Sequence, residues 1–243
     1  MTHEGTQEHP EIRRRLDSIS ADNEWDTGTF SEALLASAVS RGRNSIPSPP
    51  LKIDLAGWRP FFNDLWKRTL ETGREHSAPM IADVSKEKIL RGRVTIGSEH
   101  AVSVDTETQP GREHAQVAIG IIHTHPHGEG VIPNVFSTHD FFAFLTDTTY
   151  QVMVAQYGTN DALLILKTPN THARTNGLNG RALDEKLRRS INLTVRDVIG
   201  PKQSNLMKTV IELNKTLSVE FQLSLYRMKP ESGNTFRKID IFA

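Results

Sequence analysis

The chain contains no cysteine, which excludes disulfides, thiolate nucleophiles and cysteine-ligated zinc sites. If it cuts a bond, it does so without sulfur. Long apolar runs are missing too: no stretch approaches the roughly 20 residues that a helix needs to span a bilayer, so a transmembrane protein is not expected. Nor is there an excess of charge. The 29 basic residues balance 29 acidic ones, which removes the electrostatic footprint of a general nucleic-acid binder. Met1 to Pro10 is polar and acidic and has no apolar core of a secretory signal, so the protein is read as cytoplasmic. What is present suits a globular protein. At 243 residues, one domain with appendages is expected, with enough chain to bury a core.

Residues 1–50 carry eight acids and five bases, broken by Gly28, Gly42 and Pro47-Ser48-Pro49-Pro50. They read as an arm or linker, largely extended or helical, with a short helix over Phe30 to Val39. Residues 51–243 read as the globular domain, of α/β class. Trp58 to Thr72 predicts a helix with Phe61, Leu65, Trp66 and Leu70 on one stripe and Gly73 as its stop. Short strand-like runs follow at Ala78 to Val84, Ile89 to Ile96 and His100 to Val104. Ala115 to Ile122 predicts a buried strand, Ser137 to Leu145 a helix, and Gln151 to Gln156 and Leu163 to Leu166 two strands. Helices are expected over Arg181 to Val198 and from Pro201 to about Leu217, then a closing strand pair at Gln222 to Met228 and Thr235 to Phe242. From Arg181 to the end there are twelve bases and seven acids. Spread over two amphipathic helices, that surplus reads as a solvated face.

Chemistry concentrates in one place. His123, His125, His127 and His139 fall within H-T-H-P-H-G-E-G-V-I-P-N-V-F-S-T-H-D. At the end of a strand, residues i and i+2 point the same way, so His123 and His125 can present two imidazoles to one ion while Thr124 faces the opposite side. Asp140, in the first turn of the next helix, can be a third ligand, leaving a fourth position open for water as in catalytic zinc sites. Ser137-x-x-Asp140 also reads as a capping box, so that pair alone proves nothing. The helical H-E-x-x-H pattern of thermolysin-like peptidases is absent.

A buried strand, H-T-H-P, and then S-x-x-D opening a helix resembles the JAMM/MPN zinc metalloprotease family, in a bacterial-type form, over roughly Trp58 to Phe242. The resemblance implies an MPN-type, cytidine-deaminase-like mixed β-sheet flanked by helices, one Zn²⁺ per chain held by His123, His125 and Asp140, and Ser137 donating a hydrogen bond to the oxyanion or the metal's water. Eleven residues separate His125 from Ser137 where the family usually has seven. An insertion near Pro133-Asn134-Val135-Phe136 is therefore expected to bulge out. The family also has an upstream glutamate just after its first helix, with a small residue three positions on. Glu75 fits, with Ala78 three residues later, and is preferred over Glu71, Glu87 and Glu99. His127 and His139 are not assigned to the metal.

The implied activity is that of a zinc peptidase or isopeptidase acting on a ubiquitin or ubiquitin-like protein, or its conjugate, with Glu75 as general acid–base. Bacterial relatives also trim sulfur-carrier proteins or act on small amides, and a zinc amidohydrolase of that kind is the nearest alternative. A non-catalytic MPN scaffold is another, although scaffold members usually lack the ligands present here. The N-terminal arm is a candidate partner-binding segment. A membrane is not expected as a partner, and nucleic acid is disfavoured.

Overall fold

The computed structural model describes residues 14, 18–19, 22–39, 46, 48–97, 116–126, 136–194 and 206–239. In chain order the elements are β1 (Glu24–Trp25), α1 (Thr27–Val39), β2 (Lys52–Asp54), α2 (Arg59–Thr72), β3 (His76–Asp83), β4 (Lys88–Arg91), β5 (Thr95–Ile96), β6 (Gln116–Thr124), α3 (Thr138–Thr146), β7 (Val152–Gly158), β8 (Asp161–Leu166), α4 (Pro169–Thr175), α5 (Gly180–Thr194), α6 (Leu206–Phe221), β9 (Ser224–Met228) and β10 (Thr235–Lys238). They form one mixed sheet in the order β1-β2-β10-β9-β8-β7-β6-β3-β4, with β5 also beside β3. Helices cover both faces. The class is α/β, as expected. No helix among the described residues is long and apolar enough to cross a membrane.

Period-two alternation divides the core between the faces, shifted by one residue in β6 where an irregularity against Met80 and Ile81 leaves Ile119 unpaired with β3. Ile119 and Ile122 of β6, Ala78 and Met80 of β3, and Val152 and Val154 of β7 join Phe30 and Leu34 of α1 and Phe62 and Leu65 of α2 on one side. Ile121, Met153 and Ala155 join Phe141 and Phe144 of α3, Leu183 and Leu187 of α5, and Leu217 and Phe221 of α6 on the other. On α2 the buried residues are Phe62, Leu65, Trp66 and Thr69, whereas Leu70 is 68% exposed. The buried stripe is thus rotated from the expected one: 62, 65, 66 and 69 follow the i, i+3, i+4, i+7 pattern of one face. Gly73 ends the helix in a left-handed conformation at φ 65°, as predicted.

Residues 22–39 and 48–54 are more than a linker. β1 pairs in parallel with β2, and β2 pairs antiparallel with β10. Trp25, Phe30, Ala33 and Leu34 are buried in the first core cluster, and the Tyr226 hydroxyl donates 2.7 Å to the Pro50 carbonyl. The expected helix is present and begins earlier, at Thr27. A boundary at residue 50 therefore does not divide this part of the molecule. The run Ile89 to Ile96 is split into β4 and β5 around Gly92, where a Cβ would lie 2.4 Å from Pro79 Cγ. His100 to Val104 lies outside the described residues. The remaining strands and helices overlap their expected spans, while the expected limits at Ala115, Val198, Pro201 and Phe242 lie outside the described residues; α4, capped by Thr168 with Pro169 at its first turn, is additional.

The pair β6–β7 is parallel, joined through α3. Gly120 lets the two strands close up, since a Cβ there would lie 2.3 Å from the Val152 carbonyl oxygen. In α/β sheets, ligands bind beyond the carboxyl ends of such strands. The carboxyl end of β6 is His123-Thr124, followed by His125.

Candidate metal centre

β6 delivers its histidines from a rigid setting. His123 pairs with Ser77 of β3 on one side and Ala155 of β7 on the other, and the His125 amide donates 2.9 Å to the Gln156 carbonyl. Both side chains are buried. Their Nε2 atoms are 3.0 Å apart. α3 brings the acid: Asp140 Oδ1 is 3.7 Å from His123 Nε2 and Oδ2 is 3.8 Å from His125 Nε2. One donor atom from each of the three residues falls within a span of 4.8 Å. The His-His-Asp group can hold a metal ion. Donors bound tetrahedrally at about 2.0–2.1 Å lie about 3.3 Å from one another, close to these separations. Two imidazoles and a carboxylate are also a donor set that suits a divalent transition metal.

The hydrogen-bond partners favour the same assignment. His125 Nδ1 is 3.0 Å from Glu75 Oε1. A carboxylate can only accept, so Nδ1 carries the proton and the Nε2 lone pair is left to face the ion. Glu75 is 4% exposed, and its carbonyl accepts 2.9 Å from the Gly97 amide beyond β5. Of the four glutamates weighed from the sequence, it is the one brought to the histidines. Glu71 is exposed on α2 beside Lys67, Glu87 is exposed in a turn, and Glu99 lies outside the described residues. Glu75 meets His125 at Nδ1, across Cε1 from the Nε2 that faces the cluster.

Ser137 and Asp140 form the capping box and belong to the cluster at once. Asp140 N donates to Ser137 Oγ at 3.1 Å, while Ser137 N and Oγ both donate to Asp140 Oδ2 at 2.7 Å. The helix start therefore aims the carboxylate. Burial alone would raise the Asp140 carboxyl; the His123 and His125 rings and the Ser137 hydroxyl outweigh it and hold the group well below the usual carboxylate range. The Ser137 proton is committed to Asp140 here, so donation to a substrate oxygen requires an exchange of partner.

Phe136 turns inward, not outward as the expected bulge had it. It is buried, 6.0 Å between ring centroids from His123 and 5.8 Å from Phe141. An apolar ring against an imidazole limits its rotation and excludes water. Residues 133–135 lie outside the described residues, as does His127. His139 is exposed on α3, away from the role of ligand. A cavity of about 380 Å³ between α2 and β3–β4, walled by Trp58, Phe61, Met80 and Leu90, contains none of the clustered groups.

Sequence reasoning passed over the groups behind the site. Thr69 of α2, His76 of β3 and Thr124 are all buried and mutually hydrogen-bonded. Burial, against a bond from Nδ1 to the Arg74 carbonyl, lowers the His76 pKa below the usual histidine value. The signal available in the sequence was Thr124 itself, a polar residue expected on the side of a buried strand opposite the two histidines.

No family model, curated protein or solved structure matches the chain.

Proposed function

We propose that the protein is a zinc-dependent peptidase or isopeptidase of the JAMM/MPN type, hydrolysing the amide or isopeptide bond at the C-terminus of a ubiquitin or ubiquitin-like protein. The observation that carries the reading is the meeting of His123 Nε2, His125 Nε2 and the Asp140 carboxylate beside a buried glutamate. Two neutral nitrogens, one carboxylate and no sulfur make a three-ligand set that leaves a position for solvent, as hydrolytic zinc requires. When bound, zinc supplies Lewis acidity toward a carbonyl and brings the pKa of water from about 15.7 toward ~7.

The chain's own residues account for the rest. Glu75 Oε1 accepts the His125 Nδ1 proton, and Oε2 is the oxygen that takes a proton from water and returns it to the departing amine, a role worth roughly 10²–10⁴ in rate. Ser137 steadies the oxyanion. Its backbone N–H keeps hold of Asp140 Oδ2, so the hydroxyl proton can swing to the substrate without freeing the carboxylate; such a donor is worth ~3–4 kcal/mol. Phe136 and Phe141 keep bulk water from one side of His123.

The test combines metal analysis of the purified protein with cleavage of ubiquitin-like proteins carrying a peptide or a lysine-linked extension. About one zinc per chain and release of the extension at the ubiquitin-like C-terminus are expected. Protein that binds no metal overturns the reading. Zinc binding with turnover of small amides alone replaces the substrate class by that of an amidohydrolase.

A further inference from the structure

On the opposite face of β6 from the ligands, the strands β3 and β6 stop pairing in the ordinary way. Their ladder runs from Asp83 and Gln116 to Ser77 and His123. At the next step the His76 amide donates to the Thr124 hydroxyl, at 3.0 Å. The threonine side chain thus stands in for a main-chain acceptor at the point where Glu75 and His125 must separate enough for a carboxylate and a ring to fit between the strands. The same hydroxyl also lies 3.3 Å from the His76 carbonyl, so Thr124 meets both main-chain polar groups of His76. Thr124 Oγ1 is hydrogen-bonded to Thr69 Oγ1, Thr69 donates 3.1 Å to the Leu65 carbonyl within α2, and His76 Nδ1 lies 3.2 Å from Thr69 Oγ1 and 3.0 Å from the Arg74 carbonyl. The relay runs from β3 through β6 into α2, and its three side chains are at most 1% exposed.

We infer that Thr124, backed by Thr69 and His76, is a positioning set for the metal centre: it locks the backbone between the two ligand histidines to the residue following Glu75, and so fixes the two imidazoles against the glutamate. The inference rests on the metal-binding part of the proposed function and is independent of the substrate. Directly bonded outer partners of metal ligands typically change affinity 10–100-fold when removed. Thr124 acts through backbone geometry on both ligands at once, and the same range is expected.

The experiment uses the full chain and Co²⁺ or Zn²⁺ alone. Thr124→Val keeps the shape and removes the hydroxyl; Thr124→Ser keeps the hydroxyl. Zinc affinity is read by competition with a chelator, ligand geometry by the visible absorption of the Co²⁺-loaded protein, and folding by thermal melting of the metal-free protein. Thr124→Val is expected to weaken zinc binding about 10–100-fold and to alter the Co²⁺ band, with Thr124→Ser returning both to near the parent values. A Thr124→Val protein that melts lower yet keeps the parent affinity and Co²⁺ band overturns the inference, because the network would then be structural only. Should Thr124→Val fail to fold, Thr69→Val, which leaves both strands intact, carries the same test: an unchanged affinity and band overturn the inference and a weakened affinity sustains it. Parent protein that shows no Co²⁺ band at all overturns the metal reading itself, which separates that failure from this one.

Discussion

The strand β3 has a buried carboxylate at each end, and the two do different work. At its far end Asp83 is 1% exposed and accepts from Ser85 Oγ at 2.7 Å, the Lys86 amide at 3.2 Å and Gln116 Nε2 at 3.0 Å, with Lys86 Nζ 3.4 Å away. At its near end Glu75 accepts from the ring nitrogen of His125. Burial of an acid therefore does not by itself mark a site. Around Asp83 the partners are fixed donors that saturate both oxygens, so the carboxylate is a clamp between β3, the following turn and β6. Around Glu75 the partner is a titratable ring whose other nitrogen faces a second imidazole and a second acid. Only that end gathers groups whose lone pairs need a cation or a moving proton.

The difference can be broken most severely at the ligands. Asp140→Ala or His123→Ala is expected to take the zinc content from about one per chain to near zero, and hydrolysis with it; a variant that keeps its metal contradicts the ligand assignment. Glu75→Gln comes next. Its amide oxygen can still accept the His125 Nδ1 proton while its basicity is gone, so zinc should remain and the rate of bond cleavage should fall roughly 10²–10⁴-fold. Parent rates in that variant would reassign the base.

Asp83→Asn probes the other end and should leave zinc content and rate unaltered while lowering the thermal midpoint at neutral pH. Hydrogen bonds from Ser85 and then Gln116 outweigh burial and hold the Asp83 carboxyl well below its ordinary range. Because its folded pKa lies below the unfolded value of about 3.9, the stability it contributes is present above that value and is lost as pH falls through the folded one. The gap in stability between parent and Asp83→Asn should accordingly close as pH drops below about 4, as measured by melting across an acid series. A gap that persists would mean packing, not charge, is lost. The smallest effect is expected at His139, exposed on the same helix as Asp140. His139→Ala should change neither metal content nor rate beyond about twofold, in line with surface substitutions generally.

Local pattern made parts of this legible and not others. The helix over 59–72 and its end at Gly73 follow from spacing and one glycine, yet which of Phe61 and Phe62 turns inward depended on where the sheet lies. Within residues 24–39 the sequence shows a short helix over Phe30 to Val39 but places it in an arm, because the acids, glycine and small residues around it give a weak amphipathic signal. The burial of this segment comes from a parallel pairing with β2 and from contact with core residues far along the chain, which no local window reports. The capping box is an alternative account of Asp140 in the sequence; in the structure the carboxylate that caps the helix also lies beside the two imidazoles, since that helix N-terminus faces β6.

What the amino-acid order alone determined is the pairing of His123 with His125 on one side of a strand and the turning of Thr124 to the other, because a two-residue repeat is a property of the extended backbone itself. Which glutamate lies beside the histidines was decided by the tertiary structure, which brings Glu75 to a ring 50 residues away, and so was the threonine–histidine relay. Those contacts depend on strand register and on how α2 lies against the sheet. Both are settled by burying side chains from the whole chain together, which no single segment encodes.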